Sequence, residues 1–241
     1  MLIPFFRLLL TIHILADFYF QSQKTAQEKQ SKILPLVLHG LLYLQIALMF
    51  ICLFWSTDLM LYALGLAGLH FLIDLLKFFY CQRKQWTPKV YIIDQLCHLF
   101  SIAALSIVAI YQNLSFSLIP ELNEFFVKTA VNFEEFFSIL TLVLLLGKPA
   151  SLTIRILLRN FRPDNEDNNK KSAGAIIGIL ERIIILVFLS IQQYSAIGLV
   201  LTAKSVARYN KISEDQQFAE YYLLGTLMST LFVLCCYLLL A

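Results

Sequence analysis

The chain has 241 residues, of which 59% are hydrophobic and 15% charged, with a formal net charge of +3. Soluble domains are about 45–50% apolar and about 25% charged, so this composition excludes an ordinary water-soluble globule and predicts an integral membrane protein. The small net charge gives no general attraction to nucleic acid.

A spanning helix needs roughly 20 mostly apolar residues, and eight segments meet or approach that length. The first, about 4–20, is the shortest; it carries Arg7, His13 and Asp17, and no small-residue cleavage site follows it, so it reads as a helix and not as a cleaved signal. Segments 34–55, 59–80 and 88–112 come next. Residues 115–128 alternate apolar and acidic side chains and predict a short amphipathic helix on the membrane surface. The fifth span, 134–158, is interrupted by Gly147-Lys148-Pro149. A polar stretch at 161–172 cannot bury anything and predicts a mobile link. Spans six and seven, 173–190 and 194–211, are parted only by Gln192-Gln193, which predicts a tight hairpin, and span eight runs 217–241.

The loops test this count. Lys24, Lys29 and Lys32 lie after the first span, Arg83, Lys84 and Lys89 after the third, Arg159, Arg162, Lys170 and Lys171 after the fifth, and Arg208 and Lys211 at the end of the seventh. The intervening loops are acidic or uncharged apart from Lys128, which faces Glu121 and Glu124. Basic loops face the cytoplasm, so eight helices with both termini outside satisfy every loop. The expected fold is therefore an all-α polytopic transmembrane bundle. Its parts are a four-helix half at 1–113, an extracytoplasmic loop at 114–133 and a second half at 134–241. The five cysteines have no framework spacing and read as reduced thiols. Gly65 with Gly68, and Gly174 with Gly178, read as small-residue helix contacts.

All four histidines fall inside predicted spans, and three have an aspartate four residues away: His13 with Asp17, His70 with Asp74, and Asp94 with His98. That spacing puts both side chains on one helix face. Spans one and three run inward and read His then Asp; span four runs outward and reads Asp then His. The reversal sets the three aspartates at one depth and their histidines about 6 Å further out. His39 joins the aspartate level, and Gln21 and Gln95 flank it. Independent packing residues have no reason to share this register, whereas one site does. Neutral imidazole with carboxylate suits a divalent ion such as zinc, manganese or iron, so His13, Asp17, His39, His70, Asp74, Asp94 and His98 are candidate ligands, with Asp17, Asp74 and Asp94 also candidate catalytic groups. A hydrogen-bonded structural network is the alternative.

The second half carries Lys148, Arg155, Glu181, Arg182, Lys204, Arg208 and Glu220 at membrane depth. Lys148, Arg182 and Lys204 read as an anion site, most naturally for phosphate, with Glu181 and Glu220 as partial counter-charges. Arg155 and Arg208 read as snorkelling to headgroups.

The run His13-x-x-Ala16-Asp17-Phe18-x-x-Gln21, then His39, His70-x-x-x-Asp74 and Asp94-Gln95-x-x-His98, resembles a bacterial family of integral-membrane proteins known as a domain of unknown function, over about residues 5–110. Gly178-x-Leu180-Glu181-Arg182, Ala203-Lys204-Ser205-x-Ala207-Arg208 and Glu220-Tyr221-Tyr222-Leu223-x-Gly225-Thr226 resemble an extension that some members carry. The resemblance implies a multi-pass protein of the bacterial inner membrane and no particular activity.

Three functions fit these residues. One is a metal-dependent hydrolase or transferase acting on a phosphorylated lipid or another small anionic substrate, with its site open to the cytoplasm. Another is an ion- or proton-coupled transporter or channel that uses the His/Asp layer as a relay. The third is an assembly or regulatory partner with a structural polar core. Membrane lipids are expected partners in each case, and self-association into a homo-oligomer stays open.

Overall fold

The computed structural model describes residues 2–54, 56, 58–163 and 171–240. Its elements are helical: α1 Leu2–Ile14, a π-helical turn Leu15–Tyr19, α2 Gln23–Glu28, α3 Ile33–Ile51, α4 Asp58–Arg83, α5 Pro88–Tyr111, α6 Pro120–Thr129, α7 Phe133–Leu146, α8 Lys148–Leu157, a 3-10 turn Arg159–Phe161, α9 Lys171–Ser190, α10 Tyr194–Val206, α11 Tyr209–Glu214 and α12 Gln216–Leu240. Among the described residues the β pairing is limited to an isolated bridge between Phe54 and Leu118. Each of the eight segments expected to span contains helix. Among the described residues, five helices are both long and apolar enough to cross a membrane: Ile33–Ile51, Asp58–Arg83, Pro88–Tyr111, Phe133–Leu157 and Gln216–Leu240. Most of the expected link at 161–172, residues 164–170, lies outside the described residues.

The helix ends follow local chemistry. Ser22 accepts a hydrogen bond from the Thr25 N–H and starts α2. Thr87 caps α5, with Pro88 in the first turn where its missing N–H is no loss. Asn132 accepts from the N–H groups of Glu134 and Glu135, whose charges suit the positive end of α7. Asp215 does the same for Phe218 at the start of α12. α9 and α10 meet in a tight turn with Gln192 at φ 58°, as the Gln192-Gln193 step predicts. α6 occupies the amphipathic stretch and buries none of its residues.

The chain divides into two compact units, residues 1–141 and 142–241. In the first, α1, α3, α4 and α5 pack together, and α1 also meets α7 where Thr11 and Thr141 share a hydrogen bond of 2.8 Å. Their outward surface is apolar, with Leu34, Leu41, Leu61 and Phe100 exposed, whereas Lys29 and the four histidines are buried. Polar side chains inside and apolar ones outside is the pattern of a protein solvated by lipid. All five cysteines are free thiols.

The expected glycine contacts are placed differently. A Cβ on Gly68 or Gly174 would meet nothing within 4 Å, and one on Gly65 would make only ordinary contact with Leu105 at 3.7 Å. The close approach is at Gly40 of α3, where a Cβ would lie 2.7 Å from Phe71 Cδ2 of α4. Gly40→Ala should therefore push α3 and α4 apart, at a cost of about 1–3 kcal/mol. Unfolding of the detergent-solubilised variant beside the native chain checks this.

Candidate metal centre

The site forms where α1, the π turn, α3, α4 and α5 converge. His13 ends α1 and Asp17 sits in the π turn, closed by the Phe20 N–H donating to the Leu15 carbonyl at 2.8 Å. The extra residue in that turn rotates Asp17 relative to an α-helical course, and such bulges concentrate at functional sites. His13 Nε2 is accordingly 4.0 Å from Asp17 Oδ2, and Asp17 turns its other oxygen toward α3 and α4.

Four side chains surround one point. His39 Nε2 is 2.9 Å from Asp17 Oδ1, 3.5 Å from Asp74 Oδ2 and 3.1 Å from His70 Nε2. His70 Nε2 is 3.6 Å from Asp17 Oδ1 and 3.4 Å from Asp74 Oδ2. A tetrahedral ion with ligand bonds of about 2.0–2.1 Å places its ligands roughly 3.4 Å apart. The five distances bracket that value. Behind them, the His70 and His98 rings stack at 4.3 Å, and the His13 ring lies 4.9 Å from His98 and 5.5 Å from His70. His98 Nε2 is 3.6 Å from Asp94 Oδ1 and 3.9 Å from Asp74 Oδ1. All seven candidate ligands thus enter one cluster, from four helices and a turn.

Outer groups orient it. With its amide oxygen turned toward α3, Gln21 accepts from His39 Nδ1 at 3.1 Å and from Lys29 Nζ at 3.2 Å, and its nitrogen donates to the Asp17 carbonyl at 3.1 Å. A proton held on Nδ1 leaves the His39 Nε2 lone pair facing Asp17 and His70, the arrangement an imidazole ligand needs. Gln95 donates to Asp94 Oδ2 at 3.2 Å. Tyr43 stacks on His70 with ring centroids 3.8 Å apart.

Two lysines complete the centre. Lys29, read from the sequence as one of the basic charges of a cytoplasmic loop, is 6% exposed. It donates to Asp74 Oδ2 at 2.8 Å and lies 3.6 Å from Asp17 Oδ1. Burial alone would lower its pKa, but the Asp17 and Asp74 carboxylates outweigh that and hold the ammonium above its ordinary range. Lys77, one turn after Asp74 on α4, donates to Asp94 Oδ2 at 2.7 Å. A lysine inside an apolar stretch was the available signal for Lys77. Lys29 had no such signal, because its burial depends on how α2 folds back; Gln82 donating to the Ser31 carbonyl helps hold that turn.

The model of the DUF3307 family, described as a protein of unknown function, matches residues 5–126. That stretch is just over half of the chain and contains every member of the cluster. The chain belongs to the DUF3307 family. The match reaches through most of α6, further than the motifs alone. No curated protein and no solved structure matches the chain.

The polar residues of the C-terminal unit lie beyond the DUF3307 match, and Glu181, Arg182 and Lys204 among them are engaged internally. The helix breaks at Gly147, between α7 and α8. Arg182 of α9 is buried there: its Nε donates to the Leu146 carbonyl at 2.6 Å, and its two Nη groups reach the Gly147 carbonyl, Ser151 and Ser229. Lys204 of α10 pairs with Glu181 and donates to Thr226 Oγ1 at 3.1 Å. Lys148 and Arg155 are exposed, and the exposed Glu220 accepts from Gln216. Arg208 lies over the Phe218 ring. The expected anion site thus has two of its three cations committed to other work. A Pro-broken helix in lipid leaves carbonyls that need a donor, and Arg182 supplies it.

Proposed function

We propose that this DUF3307 protein is a metal-dependent enzyme of the bacterial inner membrane, a hydrolase or transferase acting on a phosphorylated lipid or a related anionic substrate. The observation that carries this is the near-tetrahedral spacing of Asp17, His39, His70 and Asp74, which three separate elements bring together, with His39, His70 and Asp74 buried and Asp17 half-buried. The donor set suits zinc, manganese or iron. An ion held there supplies a Lewis acid for a phosphoryl oxygen.

The side of the membrane follows from the same helices. His39 is six residues from the start of α3, Asp94 six from the start of α5 and Asp74 nine from the end of α4, which puts the centre roughly 9–14 Å from those ends. The loops at those ends are the basic ones, so the positive-inside rule assigns them to the cytoplasm, with both termini outside. A substrate would enter from the inner leaflet. Lys29 and Lys77 then take the phosphate-facing part first expected of Lys148, Arg182 and Lys204. With three carboxylates, two ammoniums and neutral imidazoles the centre carries one negative charge, and one divalent cation turns it positive by one, which favours an anion.

A second reading rests on the histidines. The rings of His13, His98, His70 and His39 form a continuous chain, and such a chain can relay protons in a transporter.

Elemental analysis of detergent-purified protein separates the two. Stoichiometric divalent metal, with at least one ion fewer in His39→Gln than in the native chain, and release of phosphate from a phospholipid or prenyl phosphate by the native chain, is the expected result. A metal-free native protein that carries protons across proteoliposomes would replace the enzyme with the transporter.

A further inference from the structure

Asp74 stands between two groups of ligands. Its Oδ2 faces His39 and His70 at 3.5 and 3.4 Å, as described, while its Oδ1 turns to the opposite side, 3.9 Å from His98 Nε2. On that side Asp94 Oδ1 is 3.6 Å from the same His98 nitrogen. Asp74, Asp94 and His98 each offer one ligand atom to this second point, and those atoms lie within 4.8 Å of one another.

These atoms have nothing else to do. Asp74 Oδ1, Asp94 Oδ1 and both ring nitrogens of His98 are buried and make no hydrogen bond among the described residues. The three residues are 3%, 5% and 1% exposed. An unsatisfied carboxylate oxygen in a low-dielectric interior costs several kcal/mol, and here two of them face one imidazole. The remaining carboxylate oxygens are already served: Lys29 binds Asp74 Oδ2, and Lys77 with Gln95 binds Asp94 Oδ2. Neither lysine is bonded to the oxygens that face His98.

We propose that the centre holds two divalent cations bridged by the Asp74 carboxylate, the first at Asp17, His39, His70 and Asp74, the second at Asp74, Asp94 and His98. The second point carries two carboxylates to offset a dication, which the alternative set of His13, His70 and His98 lacks. The inference rests on the metal-dependent reading and adds a second ion to it. A carboxylate with one oxygen on each ion sets a pair about 3.5–4 Å apart, the spacing at which two metals clamp both the attacking and the leaving oxygen of a phosphoryl group.

The test is the stoichiometry of full-length, detergent-purified protein stripped with chelator, reloaded with Mn2+ and desalted. Metal is counted by elemental analysis, and the spectrum is read by electron paramagnetic resonance. The native chain is expected to hold two ions per chain with an exchange-coupled spectrum. His98→Gln and Asp94→Asn should each hold one with an uncoupled spectrum, and His39→Gln should also hold one. Circular dichroism and elution volume check that each variant is folded; two independent substitutions at the second point guard against one that is not. One ion in the native chain, retained in either folded His98→Gln or folded Asp94→Asn, would overturn the pair and leave the single-metal reading standing. One ion in the native chain that is lost in those variants but kept in His39→Gln would also overturn it. No ion in the native chain would remove both readings together.

Discussion

Asp74→Asn is expected to abolish metal binding altogether. Asp74 is the residue shared by both ligand groups, and it is also the nearest partner of Lys29. Asparagine keeps its size and one oxygen but removes the charge. The fall in affinity should exceed about 100-fold, beyond what loss of an outer hydrogen-bond partner to a ligand costs. The fold should survive, because Lys29 keeps Asp17 at 3.6 Å as a counter-charge and the imidazoles keep their ring stacking. Metal content by elemental analysis, with elution volume as a control for folding, checks both halves of the expectation. A folded Asp74→Asn protein that retains native metal would show that the His/Asp cluster is not the site of binding.

Arg182→Met should be the most damaging single substitution in the C-terminal unit. The guanidinium is 3% exposed and serves the Leu146 and Gly147 carbonyls, Ser151 and Ser229 at once. Hydrogen bonds that involve a charged group contribute about 1.5–3 kcal/mol each, and stranded buried acceptors add their own penalty. A loss of roughly 3–5 kcal/mol is therefore expected, comparable to breaking a buried ion pair. Arg182→Lys should rescue little of it, because one ammonium cannot reproduce the planar fork that spans two carbonyls and two hydroxyls. Denaturant unfolding of the native and variant proteins in one detergent measures the difference. Equal stability of Arg182→Lys and the native chain would refute the capping role.

The contrast between these two residues shows what a sequence exposes. The His/Asp centre was legible because its logic is one-dimensional. A spacing of four fixes a helix face, and the alternating direction of spans fixes depth, so the reversed order at Asp94 and His98 was enough to bring three helices to one level. Nothing of that kind marked Arg182. Its partners are backbone carbonyls, which have no signature in a sequence, and the Gly147-Lys148-Pro149 break announced the need for a donor without naming which cation would meet it. Lys29 was hidden for another reason. Charge rules classify a lysine between two spans as a topology signal, and only the fold of α2 and the turn after it shows that this lysine enters the interior. The π turn is equally silent in sequence, since one residue of extra winding leaves the His13-to-Asp17 spacing unchanged on paper. The glycine motifs were only partly informative, because spacing alone does not say which helix surface meets a neighbour: a Cβ on Gly40 would crowd Phe71 and one on Gly65 would touch Leu105, whereas one on Gly68 would meet nothing within 4 Å.

The placement of Lys29 and Lys77 also bears on how such a protein is made. Three aspartates cannot enter a bilayer interior unaccompanied without great cost. Here each of the two lysines arrives on the same polypeptide, next to the carboxylates it neutralises. The chain can therefore leave the insertion machinery and close its helices while no ion is at hand. Under the metal-dependent reading proposed above, cofactor supply would become a matter of later maturation, and a cell short of metal would accumulate a finished but idle protein instead of a misfolded one.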